Sequence, residues 1–202
     1  FHMLAKTAEA LRRNRYEVSL FETKEEAVDY LAGLFHGDTI GFGDSRTLAQ
    51  IGLSERLSRE NTVYDPFPCT NNDDFLAVAQ KCLTTDYFFT SVNGLSMDGI
   101  LVNLDGTGNR VAGSLFGHKK VFFVAGRNKI APDLEQTIYR VRNVAAPLNA
   151  KKYNLRTPCV IKGDRCYDCS SPDRICNALV IHFKKMNDIE AEVILINEDL
   201  GF

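Results

Sequence analysis

Short apolar strands alternate with amphipathic helices along most of this sequence, and this alternation constrains the fold more than any other feature. Runs rich in aromatic and β-branched residues predict strands at 39–42, 87–92 and 121–125. Strands that alternate with helices favour a mostly parallel sheet flanked by helices. We therefore expect an α/β fold. Ligands of such sheets bind outside the carboxyl ends of the strands, so the loops there are the first place to search for a site.

Periodicity and capping signals predict the remaining elements. Thr23 and Glu26 have the spacing of a capping box, and Asp73 has the position of a helix cap. The predicted helices cover residues 3–14, 24–37, 48–58, 74–83 and 132–145. Gly52 interrupts the third of these helices, and Pro147 ends the last. The further predicted strands cover residues 16–21, 62–64, 100–104, 179–183 and 193–197. No internal repeat or long linker divides the chain, so we expect one domain over residues 1–202.

Charge and hydropathy exclude several classes of function. The net charge is −2 and the isoelectric point is about 6.1, whereas nucleic-acid binding needs a basic surface. No apolar run approaches the roughly 20 residues that cross a bilayer. The first residues also lack the apolar core of a secretion signal, so we expect a cytoplasmic protein.

A glycine-rich segment, GFGDSRT at 41–47, joins a predicted strand to a predicted helix. Glycines let the backbone approach an oxyanion, and free amides at a helix start favour anions. Arg46 stands where a dinucleotide fingerprint has its third glycine, so the motif is incomplete. The alternative is a tight turn without a ligand. The candidate ligand-binding residues here are Gly41, Gly43, Asp44, Ser45, Arg46 and Thr47.

Three later loops carry further polar residues at predicted strand ends. Asp98 and Lys129 are the candidate general acid or base groups. Each loop could also be an ordinary turn, but several together favour one small-molecule crevice. The candidate binding residues of these loops are Asn93, Gly106, Thr107, Gly108, Asn109, Arg110, Gly126 and Asn128.

Four of the six cysteines cluster in the segment 157–177, with the spacing C-x6-C-x2-C-x6-C. Cys159, Cys166, Cys169 and Cys176 could bind zinc or an iron–sulfur cluster, because such sites take four thiolates from a short irregular segment. The spacing is neither that of a bacterial ferredoxin nor that of a zinc ribbon, so the metal stays open. A redox dithiol within the C-x2-C pair, or four reduced thiols without a metal, are the alternatives.

The order and spacing of these blocks resemble the lactate-utilisation (LUD) domain family. The resemblance covers nearly the whole chain and is most specific from GTGNRV at 106–111, through GRNKI at 126–130, to RVRNVAAPLNA at 140–150. It implies a fold similar to the ribose-isomerase, glucosamine-phosphate deaminase and CoA-transferase-like superfamily. Larger relatives carry ferredoxin-type cysteine repeats, which this sequence lacks.

The resemblance implies a role in the utilisation of lactate or a similar organic acid. On this hypothesis the strand-end loops bind a phosphorylated, CoA-linked or carboxylate small molecule. The alternative is a non-catalytic accessory subunit that carries zinc or an iron–sulfur cluster and binds a partner oxidoreductase subunit. A homo-oligomer is compatible with either hypothesis, and the sequence leaves open whether the chain is an enzyme.

Overall fold

A computed structural model describes residues 2–202, and this part of the chain forms ten strands and nine α-helices. The strands are β1 Glu17–Phe21, β2 Thr39–Phe42, β3 Thr62–Tyr64, β4 Tyr87–Thr90, β5 Gly94–Ser96, β6 Leu101–Asp105, β7 Lys120–Gly126, β8 Ile130–Ala131, β9 Ala178–His182 and β10 Glu190–Ile196. The helices are α1 His2–Arg13, α2 Lys24–Ala32, α3 Arg46–Gln50, α4 Leu53–Leu57, α5 Asn72–Cys82, α6 Asn109–Leu115, α7 Leu134–Arg140, α8 Ala146–Lys152 and α9 Pro158–Lys162.

The main sheet has six strands in the order β1-β10-β7-β4-β2-β3, and every neighbouring pair is parallel. Parallel neighbours require crossover connections, which the helices between the strands provide. The expected α/β class with a mostly parallel sheet flanked by helices is thus confirmed. All six strands end at one edge, so the loops that follow them are brought close together.

Both faces of the main sheet are covered, as its strands predict. Along β7, Val121 and Phe123 pack on one side with α1 and the smaller sheet, whereas Phe122 and Val124 pack on the other with α2, α3 and α4. All four side chains are at most 1% exposed. Burial on both faces explains why β7 is a continuous apolar run and not an alternating one.

A second, four-stranded sheet in the order β8-β5-β6-β9 was not expected from the sequence. β6 is antiparallel to both β5 and β9, whereas β5 and β8 are parallel. The segment 91–99, interpreted as a loop, contains β5. Gly94 has no room for a side chain, because a Cβ there would lie 2.6 Å from the Thr137 methyl carbon of α7.

Three predicted helix ends were wrong. Asn71, not Asp73, caps α5, since its Oδ1 accepts from the Asp74 amide at 2.9 Å. α2 ends at Ala32, before Gly37. Pro147 does not end the last helix, because a π-helical turn over Val141–Ala145 precedes it and α8 continues to Lys152. A wider turn relieves the clash between a proline ring and the preceding turn of helix.

None of the helices within residues 2–202 has the length and apolar character needed to cross a membrane.

Candidate functional site

A crevice of about 560 Å³ lies beyond the carboxyl ends of β2, β4, β6 and β7. This is within the range of small-molecule sites, roughly 300–1,000 Å³. α8 and the last residues, Gly201 and Phe202, form further parts of its wall. The crevice is lined by ten of the predicted catalytic and ligand-binding residues: Asp44, Ser45, Arg46, Thr47, Asn93, Gly106, Thr107, Asn109, Arg110 and Lys129.

Three of the predicted glycines lie outside the crevice wall and have structural reasons to be glycine. A Cβ on Gly41 would lie 2.5 Å from the Cys82 carbonyl oxygen, where α5 crosses β2. A Cβ on Gly43 would lie 3.0 Å from Phe88, and one on Gly126 would lie 2.5 Å from the Glu198 carbonyl oxygen. Close packing is thus sufficient to explain these three glycines, and their role in ligand binding stays a prediction.

Gly108, Asn128 and Asp98 also lie outside the crevice wall. Gly108 precedes α6 with a φ of 91°, a left-handed conformation that favours glycine. Asn128 Oδ1 accepts from the Leu200 amide at 2.9 Å and so holds the C-terminal loop. Asp98 is exposed in the turn before β6, where its backbone carbonyl accepts from Asn14. The geometry therefore gives no support to Asp98 as a catalytic residue.

The hydroxyl groups of the GFGDSRT segment are already bonded within the protein. Ser45 Oγ accepts from the Leu48 amide at 3.2 Å and caps α3. Thr47 Oγ1 accepts from Ser91 Oγ at 3.3 Å. These contacts position the segment, whereas the exposed Arg46 guanidinium extends along the crevice.

A buried ion pair fixes the loop after β6. Arg110 lies 3.4 Å from the Asp105 carboxylate and donates to Asn103 Oδ1 at 2.6 Å. Asp105 also accepts from the Val111 amide, and Asn93 Oδ1 accepts from Arg110 at 3.3 Å. Because the Arg110 guanidinium already bonds to Asp105, Asn103 and Asn93, its main role is to hold this loop in place. Its charge is not free to bind a ligand.

Lys129 lies at the inner end of the crevice and is 4% exposed. Burial, together with the nearby charges of Arg140 and Arg110, lowers the pKa of Lys129 to about 7. Its ammonium group donates to the Phe202 backbone oxygen. Gly201 packs so closely that a Cβ there would lie 3.0 Å from Lys129 Nζ. Lys129 is thus a buried amine that changes charge near neutral pH.

Lys152 and a set of aromatic side chains were missed by the sequence analysis. Lys152 Nζ lies 4.4 Å from the centre of the Phe67 ring and 5.0 Å from that of Tyr153. The Arg46 guanidinium lies 4.4 Å from the centre of the Phe202 ring. Lys152 follows Pro147, where the helix was predicted to have ended, so no signal in the sequence could assign it to the crevice.

All four clustered cysteines line one small cavity of about 30 Å³. Their thiols are half-buried and unpaired with each other as disulfides. Cys176 lines both this cavity and the crevice, as do Ile175 and Ala146. The two predicted sites are therefore neighbours that share a wall.

The thiols have polar neighbours of their own. Arg142 Nη2 lies 3.9 Å from Cys166 Sγ, and Cys166 Sγ also accepts from the Asp168 amide at 3.4 Å. Thr157 Oγ1 and Cys159 Sγ are 3.2 Å apart. Burial and the three other thiols raise the pKa of Cys176 to about 11. The nearby Arg174 guanidinium opposes this rise in the pKa of Cys176 only in part.

Within residues 2–202, no three His, Cys, Asp or Glu side chains converge at the distances that one metal ion needs. The donor set is nevertheless suited to a soft metal, because four sulfur atoms line the same cavity. The predicted zinc or iron–sulfur centre stays a prediction.

Comparisons with known proteins identify the family. A crystal structure of a DUF162 family protein from Deinococcus radiodurans has a similar fold, with a TM-score of 0.55 at 10% identity over 96% of both chains. No curated protein matches the chain. The LUD domain profile matches residues 4–196, which is nearly the full sequence. The chain therefore belongs to the LUD domain family.

Proposed function

We propose that the crevice binds an anionic metabolite, phosphorylated or CoA-linked in preference to a small free carboxylate, during the utilisation of lactate or a similar organic acid. The observation that carries this proposal is the set of basic side chains that line the crevice, Arg46, Lys129 and Lys152. Membership of the LUD domain family supports the metabolic setting.

The charge balance of the crevice favours an anion. Arg110 and Asp105 neutralise each other. This leaves Arg46, Lys152 and the partly protonated Lys129 facing one carboxylate, that of Asp44. Within residues 2–202, none of the three cations has an ion-pair partner closer than 4.0 Å. An anionic ligand would supply the missing charge, and hydrogen bonds to charged groups are the stronger ones.

The size and lining of the crevice favour a ligand larger than lactate. A three-carbon acid would fill only a small part of about 560 Å³. Phe67, Phe75, Tyr153 and Phe202 also line the crevice, and such side chains bind apolar or planar groups. A nucleotide or CoA-type ligand offers both a planar base and phosphates.

Among the residues that line the crevice, Lys129 has the side chain best suited to proton transfer. With a pKa of about 7 it can hold or release a proton at neutral pH, which suits a general acid or base. Its buried position also means that a bound anion would favour the protonated form. Anion binding should therefore be accompanied by proton uptake by the protein.

A thermal-shift screen at constant ionic strength tests the proposal. Nucleotides, CoA and acyl-CoA, sugar phosphates and free carboxylates would be compared, with lactate among the last group. We expect stabilisation by at least one phosphorylated or CoA-linked compound, because a ligand that binds only the folded state raises its stability. Stabilisation by free carboxylates alone would contradict the preference, and no stabilisation by any compound would contradict the proposal.

Arg46→Met and Lys152→Met test whether the crevice is the binding site. Each should weaken binding about ten- to a hundredfold, since a charge-assisted hydrogen bond contributes roughly 1.5–3 kcal/mol. Lys151→Met is the matched control, because Lys151 is exposed on the same helix and does not line the crevice. Equal affinity in all three variants would exclude this surface as the site.

A further inference from the structure

We propose that Cys159, Cys166, Cys169 and Cys176 bind a four-iron, four-sulfur cluster, and that Cys176 holds this cluster at the side wall of the crevice. This inference goes beyond the proposed anion-binding function and does not depend on it. It rests on the four cysteines that line one cavity, on the irregular segment that carries them and on their polar surroundings.

The segment that carries the cysteines is suited to wrapping around a cluster. Between Lys162 at the end of α9 and Ala178 at the start of β9, the chain contains no helix or strand. Its C-terminal end is nevertheless fixed, because the Asn177 amide donates to the Asp105 carbonyl at 2.9 Å. A Cβ on Gly106 would lie 2.8 Å from the Ile175 carbonyl oxygen. The segment is thus held tightly against the crevice loop after β6.

The arrangement of the thiols is compatible with a cluster. Within residues 2–202, no three of these side chains converge on one point in the way that a single zinc ion requires. A four-iron cluster instead binds its four thiolates at four separate corners, and all four cysteines line one cavity. We therefore take the cluster as the occupant, and zinc is the alternative that metal analysis would reveal.

The surroundings suit a cluster with four thiolates, which carries net negative charge. The Arg142 guanidinium and the Asp168 amide point to Cys166 Sγ, and the Thr157 hydroxyl contacts Cys159 Sγ. Arg174 donates to the carbonyl oxygens of Cys169 and Cys176, which places a second guanidinium at the cavity. Both guanidiniums also pair with the Asp168 carboxylate, so one net positive charge remains in this group of three side chains. Hydrogen bonds and positive charges near the sulfur atoms stabilise bound clusters and set their potentials.

Binding requires no outside oxidant or reductant. Two ferrous ions, two ferric ions and four sulfides form the cluster core, and each thiol loses its proton as its sulfur bonds to iron. Four protons pass to the solvent, and the oxidation states of iron and sulfur do not change.

The test is metal and sulfide analysis of the full chain, purified without air and reconstituted with that mixture of iron and sulfide. We expect about four iron and four sulfide per chain, with a brown colour that fades on reduction. Binding of one zinc per chain in preference to iron would overturn the proposal, as would reconstituted protein that retains no iron.

Variants locate the cluster. Cys176→Ser should lose most of the iron, whereas Cys69→Ser, the same change outside the group, should retain it. Equal iron content in both variants would overturn the assignment. Alkylation followed by mass spectrometry does not depend on whether a variant folds: all four cysteines should be protected in the iron-loaded protein and labelled in the iron-free protein. Labelling of any of the four in the iron-loaded protein would contradict the proposal.

The position of the cluster at the crevice has a separate readout. A reduced, paramagnetic cluster broadens the NMR signals of nearby amides. The amides of Gly106 and Ala146, which lie beside the cysteine segment, should broaden, whereas that of Leu31 in α2 on the opposite face should not. Unchanged signals at Gly106 and Ala146 would overturn the shared-wall part of the proposal, whether or not any anion binds the crevice.

Discussion

Replacing Lys129 with Met should remove a pH dependence of folding stability that the wild-type chain has between about pH 7 and 9. Lys129 is 4% exposed in the folded state, and its pKa is lowered there to about 7 from an ordinary value of 10.5. The cause is burial first, with Arg140 and Arg110 adding repulsion. Between these two pKa values the unfolded chain holds a proton on Lys129 that the folded chain has released.

The sign and magnitude follow from this difference in bound protons. Stability rises with pH wherever the unfolded state binds more protons, by about 1.4 kcal/mol per pH unit for one group. From pH 7 to pH 9 the contribution of Lys129 should therefore rise by about 2–3 kcal/mol. Below the folded-state pKa both states are protonated, and the contribution no longer changes.

Urea unfolding at a series of pH values, followed by circular dichroism, measures this effect. Other groups titrate as well, so the informative quantity is the difference between wild type and Lys129→Met at each pH. The exposed Lys6 on α1 provides the control variant Lys6→Met. If Lys129→Met and wild type gain stability in parallel from pH 7 to pH 9, Lys129 does not titrate in the buried state that we describe.

Four further substitutions test the fold and the limits of the site. Asn71→Ala should destabilise the protein by about 1 kcal/mol in urea unfolding, because the α5 cap is lost; Asp73→Ala should cost less, since Asp73 only contributes a charge to the first turn. Gly113→Ala should cost about 1–3 kcal/mol by the same assay, because its Cβ would lie 2.4 Å from the Phe88 ring; a variant as stable as wild type would contradict this packing. Asp98→Asn should bind the ligand with unchanged affinity in calorimetric titration. A tenfold loss of affinity would show that Asp98 belongs to the site.

The centre of the main sheet was predictable because β2, β4, β7 and β10 are buried on both faces. β2 and β7 are continuous apolar runs, and such runs are short and bounded by turn residues. β5 and β8 have only three and two residues. Strands this short are defined by their partners in the tertiary structure, so local sequence cannot distinguish them from turns.

The site was predictable where strand ends led directly into it. Asp44 to Thr47 follow β2 of the parallel sheet, and the Gly106 loop follows β6 of the second sheet. Both strands end at the crevice. Lys152 was not predictable, because Pro147 suggested a helix end and the π-helical turn that accommodates it has no clear sequence signal.

Glycine residues were the least reliable sequence indicators of a ligand-binding site. Gly41 and Gly126 are required by close backbone packing, and a sequence alone cannot separate that need from contact with an anion. The cysteine spacing predicted a local group of thiols. Only the three-dimensional fold shows that Cys176 also borders the crevice.

Calorimetric titration of the best ligand from the screen tests the central claim most directly, since it measures affinity and proton uptake together. We expect the wild-type chain to bind a phosphorylated or CoA-linked anion with proton uptake near pH 7.5, and the Arg46→Met/Lys152→Met double variant to bind it at least about tenfold more weakly. Undiminished binding by the double variant, with no protons taken up by the wild type, would contradict an anion site in this crevice.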